Sequence, residues 1–152
     1  MKNFFLLIIG TVIIVGSITL VLRDPASIKY QNLVNLNIGS TSLQVEVVES
    51  KQSISKGLSG RKSLEEGTGM LFSFSESGIY GFWMREMYFP IDIIWIGESF
   101  EVLGTENWVS PETFPEIFYS PEKTKYVLEV NAGFAEKNGI DTRDMVYLNT
   151  NI

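Results

Sequence analysis

Residues 91–96 read Ile-Asp-Ile-Ile-Trp-Ile, an apolar run interrupted only by one carboxylate. A short run of this kind reads as a β-strand buried on both faces. A carboxylate in such a strand needs a partner, because unpaired burial costs several kcal/mol or forces protonation. The residues just before it, Phe82-Trp-Met-Arg-Glu-Met-Tyr-Phe-Pro90, place a cation and an anion among large apolar side chains. Such a constellation is either a structural ion pair or the floor of a binding site, and the two readings stay open at this point.

A second apolar run sets the organisation of the chain. Residues 4–22 carry no charge, and Phe, Leu, Ile and Val fill all but five positions. At about 1.5 Å per residue this makes a helix of roughly 29 Å, close to the hydrocarbon thickness of a bilayer. It exceeds the 7–15 apolar residues usual in a signal peptide, and no clean small-x-small cleavage site follows. We therefore expect a membrane anchor over residues 1–23, a polar tether over 24–32 and a β-rich domain over 33–152. Lys2 precedes the apolar run, whereas Arg23 is offset by Asp24. This bias favours a single-pass protein of the cytoplasmic membrane, with its domain on the extracytoplasmic side.

Charge and composition exclude several functions. The 18 Asp and Glu exceed the 12 Lys and Arg, a net charge of −6. That balance argues against nucleic acid, which requires clustered basic residues. With no Cys there is no disulfide framework and no thiolate chemistry. With no His, the commonest general base and transition-metal ligand is missing. No cofactor and no metal site are expected. Asp141 and Asp144 in one turn read as solvated acids rather than calcium ligands.

Apolar alternation over 34–38 and 43–47, separated by turn residues, predicts a β-hairpin. A short helix is expected over 52–58, then a turn-rich bend with a capping-box pattern at 63–66. Strands are expected at 70–74, 79–84, 91–96, 100–104, 126–130 and 145–148. A long surface loop over 106–123 holds Pro111, Pro115 and Pro121, and Asn131 and Asn138-Gly139 bracket a second short helix. Many short strands with two short helices predict a mainly β fold, a compact β-sandwich or a distorted barrel.

Several pieces in fixed order carry a resemblance. These are Gly57-Leu58 with Arg61, Gly69-Met-Leu-Phe72, Phe82-Trp-Met84, Pro90-Ile-Asp92, Val127-Leu-Glu-Val-Asn-Ala-Gly133, and Gly139-Ile140 with Asp144. Together they resemble the domain of unknown function 192 family, also called uncharacterised protein family 0127, over residues 36–148. The resemblance implies a compact, mainly β domain, often behind a signal or anchor in bacteria and archaea, and brings no activity with it. Two departures stand out. Where the family shows Lys-Asn-Thr, this chain has Arg85, Glu86 and Met87, and a family Gly-Asp turn becomes Arg143-Asp144, where a positive φ would be harder to hold.

The candidate ligand-binding residues are Arg61, Trp83, Asp92, Glu129 and Tyr88. Arg61 and Asp92 are the expected pair, since a guanidinium holds a carboxylate through two parallel hydrogen bonds. The bland alternative is that the pair only ties a helical segment to the sheet. Glu129 shares a strand face with Val127, opposite Leu128 and Val130, and would be shielded if Val127 points inward. Aromatic faces at Trp83 and Tyr88 suit a sugar or peptide, whereas Trp95 reads as core. A catalytic alternative uses Asp92 with Glu129 or Glu86, as two carboxylates about 5–9 Å apart would cleave an envelope polysaccharide. Ser53-x-x-Lys56 and Ser120-x-x-Lys123 have serine–lysine spacing but read as chance occurrences of common residues. The leading expectation is a non-catalytic module for a small molecule, an envelope glycan or a protein partner, with the lipid bilayer engaged through residues 4–22.

Overall fold

The computed structural model describes residues 33–149. The expected anchor and tether lie outside the described residues, among which no helix is long and apolar enough to cross a membrane. The expected hairpin is formed by β1 (Leu33–Ile38) and β2 (Thr41–Val48), which pair antiparallel with Leu36 opposite Leu43. A short helix, α1 (Lys51–Lys56), follows, capped by the Ser50 hydroxyl, which accepts from the Ser53 amide at 3.1 Å. The chain then turns through residues 57–67 and returns as β3 (Thr68–Gly78), parallel to β2.

The remaining elements are β4 (Gly81–Phe82), β5 (Ile91–Ile96), β6 (Val102–Val109), a 3-10 turn (Pro111–Thr113), β7 (Phe118–Tyr119), β8 (Thr124–Asn131), α2 (Phe134–Asn138) and β9 (Val146–Asn149). Seven strands form one sheet in the order β6-β5-β8-β3-β2-β1-β9, and β4 pairs with β7 in a separate ribbon. The sandwich is not realised, because a single sheet curls into a half-barrel. Its edges approach at one end, where the Val102 and Val146 amides donate to the Asp144 and Phe100 carbonyls, each at 2.8 Å. Glu101 and Met145 form a bridge between them.

Period-two alternation feeds two cores from one sheet. Leu36, Val45, Leu71, Ile94, Leu128 and Val130 fill the concave side, which Ala135 of α2 plugs. Met70, Phe72, Ile93, Trp95 and Val127 face the convex side, where Leu58 and Met84 from the loops cover them. All six residues of β5 are buried, as the unbroken apolar run predicts, and Trp95 is core. Three elements differ from expectation. The strand expected at 79–84 is reduced to Gly81–Phe82, and β6 continues to Val109 through part of the expected loop. This extension follows from pairing along β5, with Glu106 opposite Ile93 and Val109 opposite Ile91. Asn131 does not cap α2; Gly133 stands at that position, and the Asn131 side chain donates to the Leu64 carbonyl at 3.1 Å.

Arg143 does adopt the positive φ anticipated at the departure from the family pattern, at 78°. Glu86 does so as well, at 58°, in the position where the resemblance implies Asn. Asn tolerates the left-handed region better than Glu. Gly133 meets a stricter demand: its φ is 81°, and a Cβ there would lie 2.6 Å from the Trp108 ring.

Candidate functional site

The two carboxylates of the strand core lie on opposite faces of the sheet. Asp92 pairs across β5 and β8 with Val130, while Glu129 is opposite Ile93. Asp92 therefore faces the concave side, where Oδ1 accepts from the Trp108 and Gly133 amides at 2.8 and 3.0 Å and Oδ2 from the Ala135 amide at 2.9 Å. It ties β6 and the start of α2 to β5, a structural clamp.

The expected Arg61–Asp92 pair does not form. The Arg61 Nη2 instead meets Glu46 Oε2 at 2.7 Å, both side chains partly exposed. The partner changes because the chain at 57–67 docks on the convex face, on which Glu46, Met70, Glu129 and Ile93 form one cross-strand row. Glu129 sits within that row, only 6% exposed, and its Oε2 has no hydrogen-bond partner among the described residues. Burial pushes its carboxyl up from 4.5 to about 8, while the nearby Arg61 charge pulls the other way. At neutral pH the group is therefore a protonated acid, able to donate as well as accept.

A cleft of 320 Å³ opens over this acid. Phe72 and Phe74 of β3, Tyr80, the β4 residue Phe82, Trp83 and Met87 line it on one side, and Ile54, Lys56 and Leu58 on the other. The aromatic wall is interlocked. Phe82 meets Phe72 and Trp95 edge-on at 4.9 and 5.5 Å, and Phe74 stacks on Tyr80 at 3.6 Å. Trp83 packs edge-on against Phe114 at 5.9 Å, and the Arg85 guanidinium lies 5.2 Å from its ring centre. The rim is fastened by the Ser59 hydroxyl donating to the Arg85 carbonyl at 2.8 Å and the Gly60 amide to the Glu86 carbonyl at 2.9 Å.

Of the sequence candidates, Glu129 and Trp83 meet in this cleft, Arg61 influences Glu129 from the neighbouring row, and Asp92 belongs to the other face. Tyr88 is 69% exposed and does not line the cleft. The Glu86 side chain is exposed, and its contribution comes through the backbone. The carboxylate pair envisaged for polysaccharide cleavage is thus not assembled. Phe72, Phe74, Tyr80 and Met87 were not singled out as cleft residues by sequence reading, although Phe72-x-Phe74 has the spacing of one strand face. Lys56, met there as half of a chance motif, lies at the cleft while Ser53 bonds within its own turn. A larger groove of 960 Å³ lies at the half-barrel mouth, among Val34, Val47, Leu71, Tyr126 and Leu148. Its lining carboxylates, Glu46 and Glu49, are not buried, so it offers less specific chemistry than the smaller cleft. No group of three or more metal-ligating side chains occurs among the described residues.

Two solved structures share this architecture. A protein of Sinorhizobium meliloti 1021, described as a candidate transcription regulator, is 26% identical with a TM-score of 0.73, covering 76% of this chain and 93% of its own. A protein of unknown function from Novosphingobium aromaticivorans DSM 12444 is 28% identical with a TM-score of 0.72, covering 76% and 84%. No curated protein matches the chain. The profile of the DUF192 family, described as Uncharacterized ACR, matches residues 34–148, more than half of the sequence, and the chain belongs to that family.

Proposed function

We propose that this DUF192 protein is a non-catalytic binding module that takes a small ligand in the cleft over Glu129. In this reading residues 4–22 hold it at the cytoplasmic membrane, with the β domain on the extracytoplasmic side. One observation carries the binding reading: a buried acid, with an oxygen unpartnered among the described residues, lines an aromatic-walled cleft. An unsatisfied buried polar group is costly in a core, and a ligand hydrogen bond would relieve it. A cleft of 320 Å³ is at the small end of small-molecule sites, so a compact ligand fits better than a long glycan chain. Polysaccharide cleavage has less support, since Glu129 is the sole carboxylate among the described lining residues. The description of the Sinorhizobium protein does not carry over readily, because a net charge of −6 opposes nucleic-acid binding.

A thermal-shift screen of the full-length protein in non-ionic detergent tests the reading. A true cleft ligand raises Tm in the wild type, and Trp83→Ala and Glu129→Leu remove that rise. A ligand whose effect survives both substitutions binds elsewhere and defeats the assignment. Membrane attachment is tested separately by carbonate washing: the full-length chain stays in the pellet, whereas release into the wash rules out the anchor.

A further inference from the structure

The cleft has an uneven distribution of charge. Glu129 is buried at its floor, whereas Lys56, the last residue of α1, is exposed at its edge. The Lys56 ammonium has no ion pair or hydrogen bond to any described residue. Arg85 lies over Trp83 on one side. Arg61, outside the cleft lining, is paired with Glu46 and its charge reaches Glu129. Lys56 is thus the one charged cation among the described residues that line the cleft, and the acid lining it is desolvated and protonated at neutral pH.

We propose that the cleft selects a small aromatic anion: a flat ring against the aromatic wall of the stacked Phe74–Tyr80 pair and Trp83, a carboxylate toward Lys56, and a hydroxyl or carbonyl oxygen bonded to Glu129. This rests on the cleft reading above and adds the chemical class. A cationic ligand would meet the Lys56 ammonium, unpaired among the described residues, and the acid lining the cleft is protonated at neutral pH. A sugar would set most of its hydroxyls against apolar walls that cannot bond them. An aromatic acid satisfies all three regions at once: ring against rings, anion against the free ammonium, and one polar atom against the buried acid.

Four probes with related bodies separate these demands: 3-(4-hydroxyphenyl)propionate, its amide, tyramine and 3-phenylpropionate. Calorimetric titration of the full-length protein at pH 7 should rank the acid about three- to fivefold above the amide, as befits one exposed ion pair. Tyramine should be weakest of the hydroxylated three. Loss of the hydroxyl should cost about tenfold, because the buried acid is left without a partner. Lys56→Gln should lower the acid to the level of the amide, and Glu129→Leu should erase the advantage of the hydroxyl. Tighter binding of tyramine, or indifference to Lys56→Gln, overturns the proposed class; if that binding still falls in Trp83→Ala, the cleft itself stands. Binding of the acid that ignores both Trp83→Ala and Glu129→Leu, or no binding by any probe, overturns the class and the cleft together.

Discussion

Asp92 and Glu129 lie on adjacent strands, one register position apart, and both are buried, yet their surroundings are opposite. On the concave side Asp92 receives three backbone amides. On the convex side Glu129 has an oxygen without a partner among the described residues and opens onto a cleft. A buried carboxylate surrounded by donors is spent on the fold. One left without donors either weakens the fold or waits for something to bind, so the bonding of an acid tells more than its burial.

The largest expected effect tests the structural half of this contrast. Asp92→Ala leaves three amides without their acceptor and disconnects α2 from β5. We expect a loss of about 3–5 kcal/mol in unfolding free energy by urea titration at pH 7. A loss below about 1 kcal/mol would mean that the clamp is not what holds the turn at 131–135.

Glu129 should respond to pH instead. Between its ordinary value of 4.5 and about 8, the folded protein holds a proton that the unfolded chain has released. The contribution of this group is therefore undiminished below pH 4.5 and is lost as pH rises through this window, by about 5 kcal/mol in all. Glu129→Gln keeps a neutral donor in place and should remove this contribution, becoming the more stable protein at pH 9. Urea midpoints of the two proteins that stay parallel from pH 5 to pH 9 would show that Glu129 is ionised and partnered, and the contrast with Asp92 would collapse.

The sequence makes part of this contrast legible. Alternation around 126–130 places Glu129 with Val127 and against Leu128, and the structure agrees. The apolar run at 91–96 marks β5 as buried on both sides. What a single sequence withholds is register. Shifting β5 against β8 by one residue would bring Asp92 and Glu129 face to face, and no local pattern fixes that shift. The partner of Arg61 is hidden for the same reason, because Glu46 and Asp92 are both acids in strands and only sheet order decides which one the loop at 57–67 covers. Strand alternation likewise cannot tell two packed sheets from one curled sheet, since both require half-buried strands; the meeting of residues 100–102 with 144–146 distinguishes them.

The same contrast between an ordered seam and an open cleft extends to the backbone. Arg143 holds φ at 78° where the half-barrel edges meet, and its amide donates to the Val102 carbonyl at 2.8 Å. Glu86 holds φ at 58° at the cleft rim, where its carbonyl accepts the Gly60 amide. Each non-glycine residue in the left-handed region costs about 1–2 kcal/mol, less where glycine's greater freedom in the unfolded chain offsets the relief. Arg143→Gly and Glu86→Asn should therefore each raise stability by about 0.5–1 kcal/mol. Their effects on binding should differ. The seam substitution should leave ligand affinity unchanged, because Arg143 touches no part of the cleft. The rim substitution should tighten binding slightly, because a relaxed turn at 84–87 holds Trp83 and Met87 in place with less strain. Equal effects of the two on affinity would show that the rim is no more coupled to the cleft than the distant seam, and that the strain at Glu86 belongs to the fold alone.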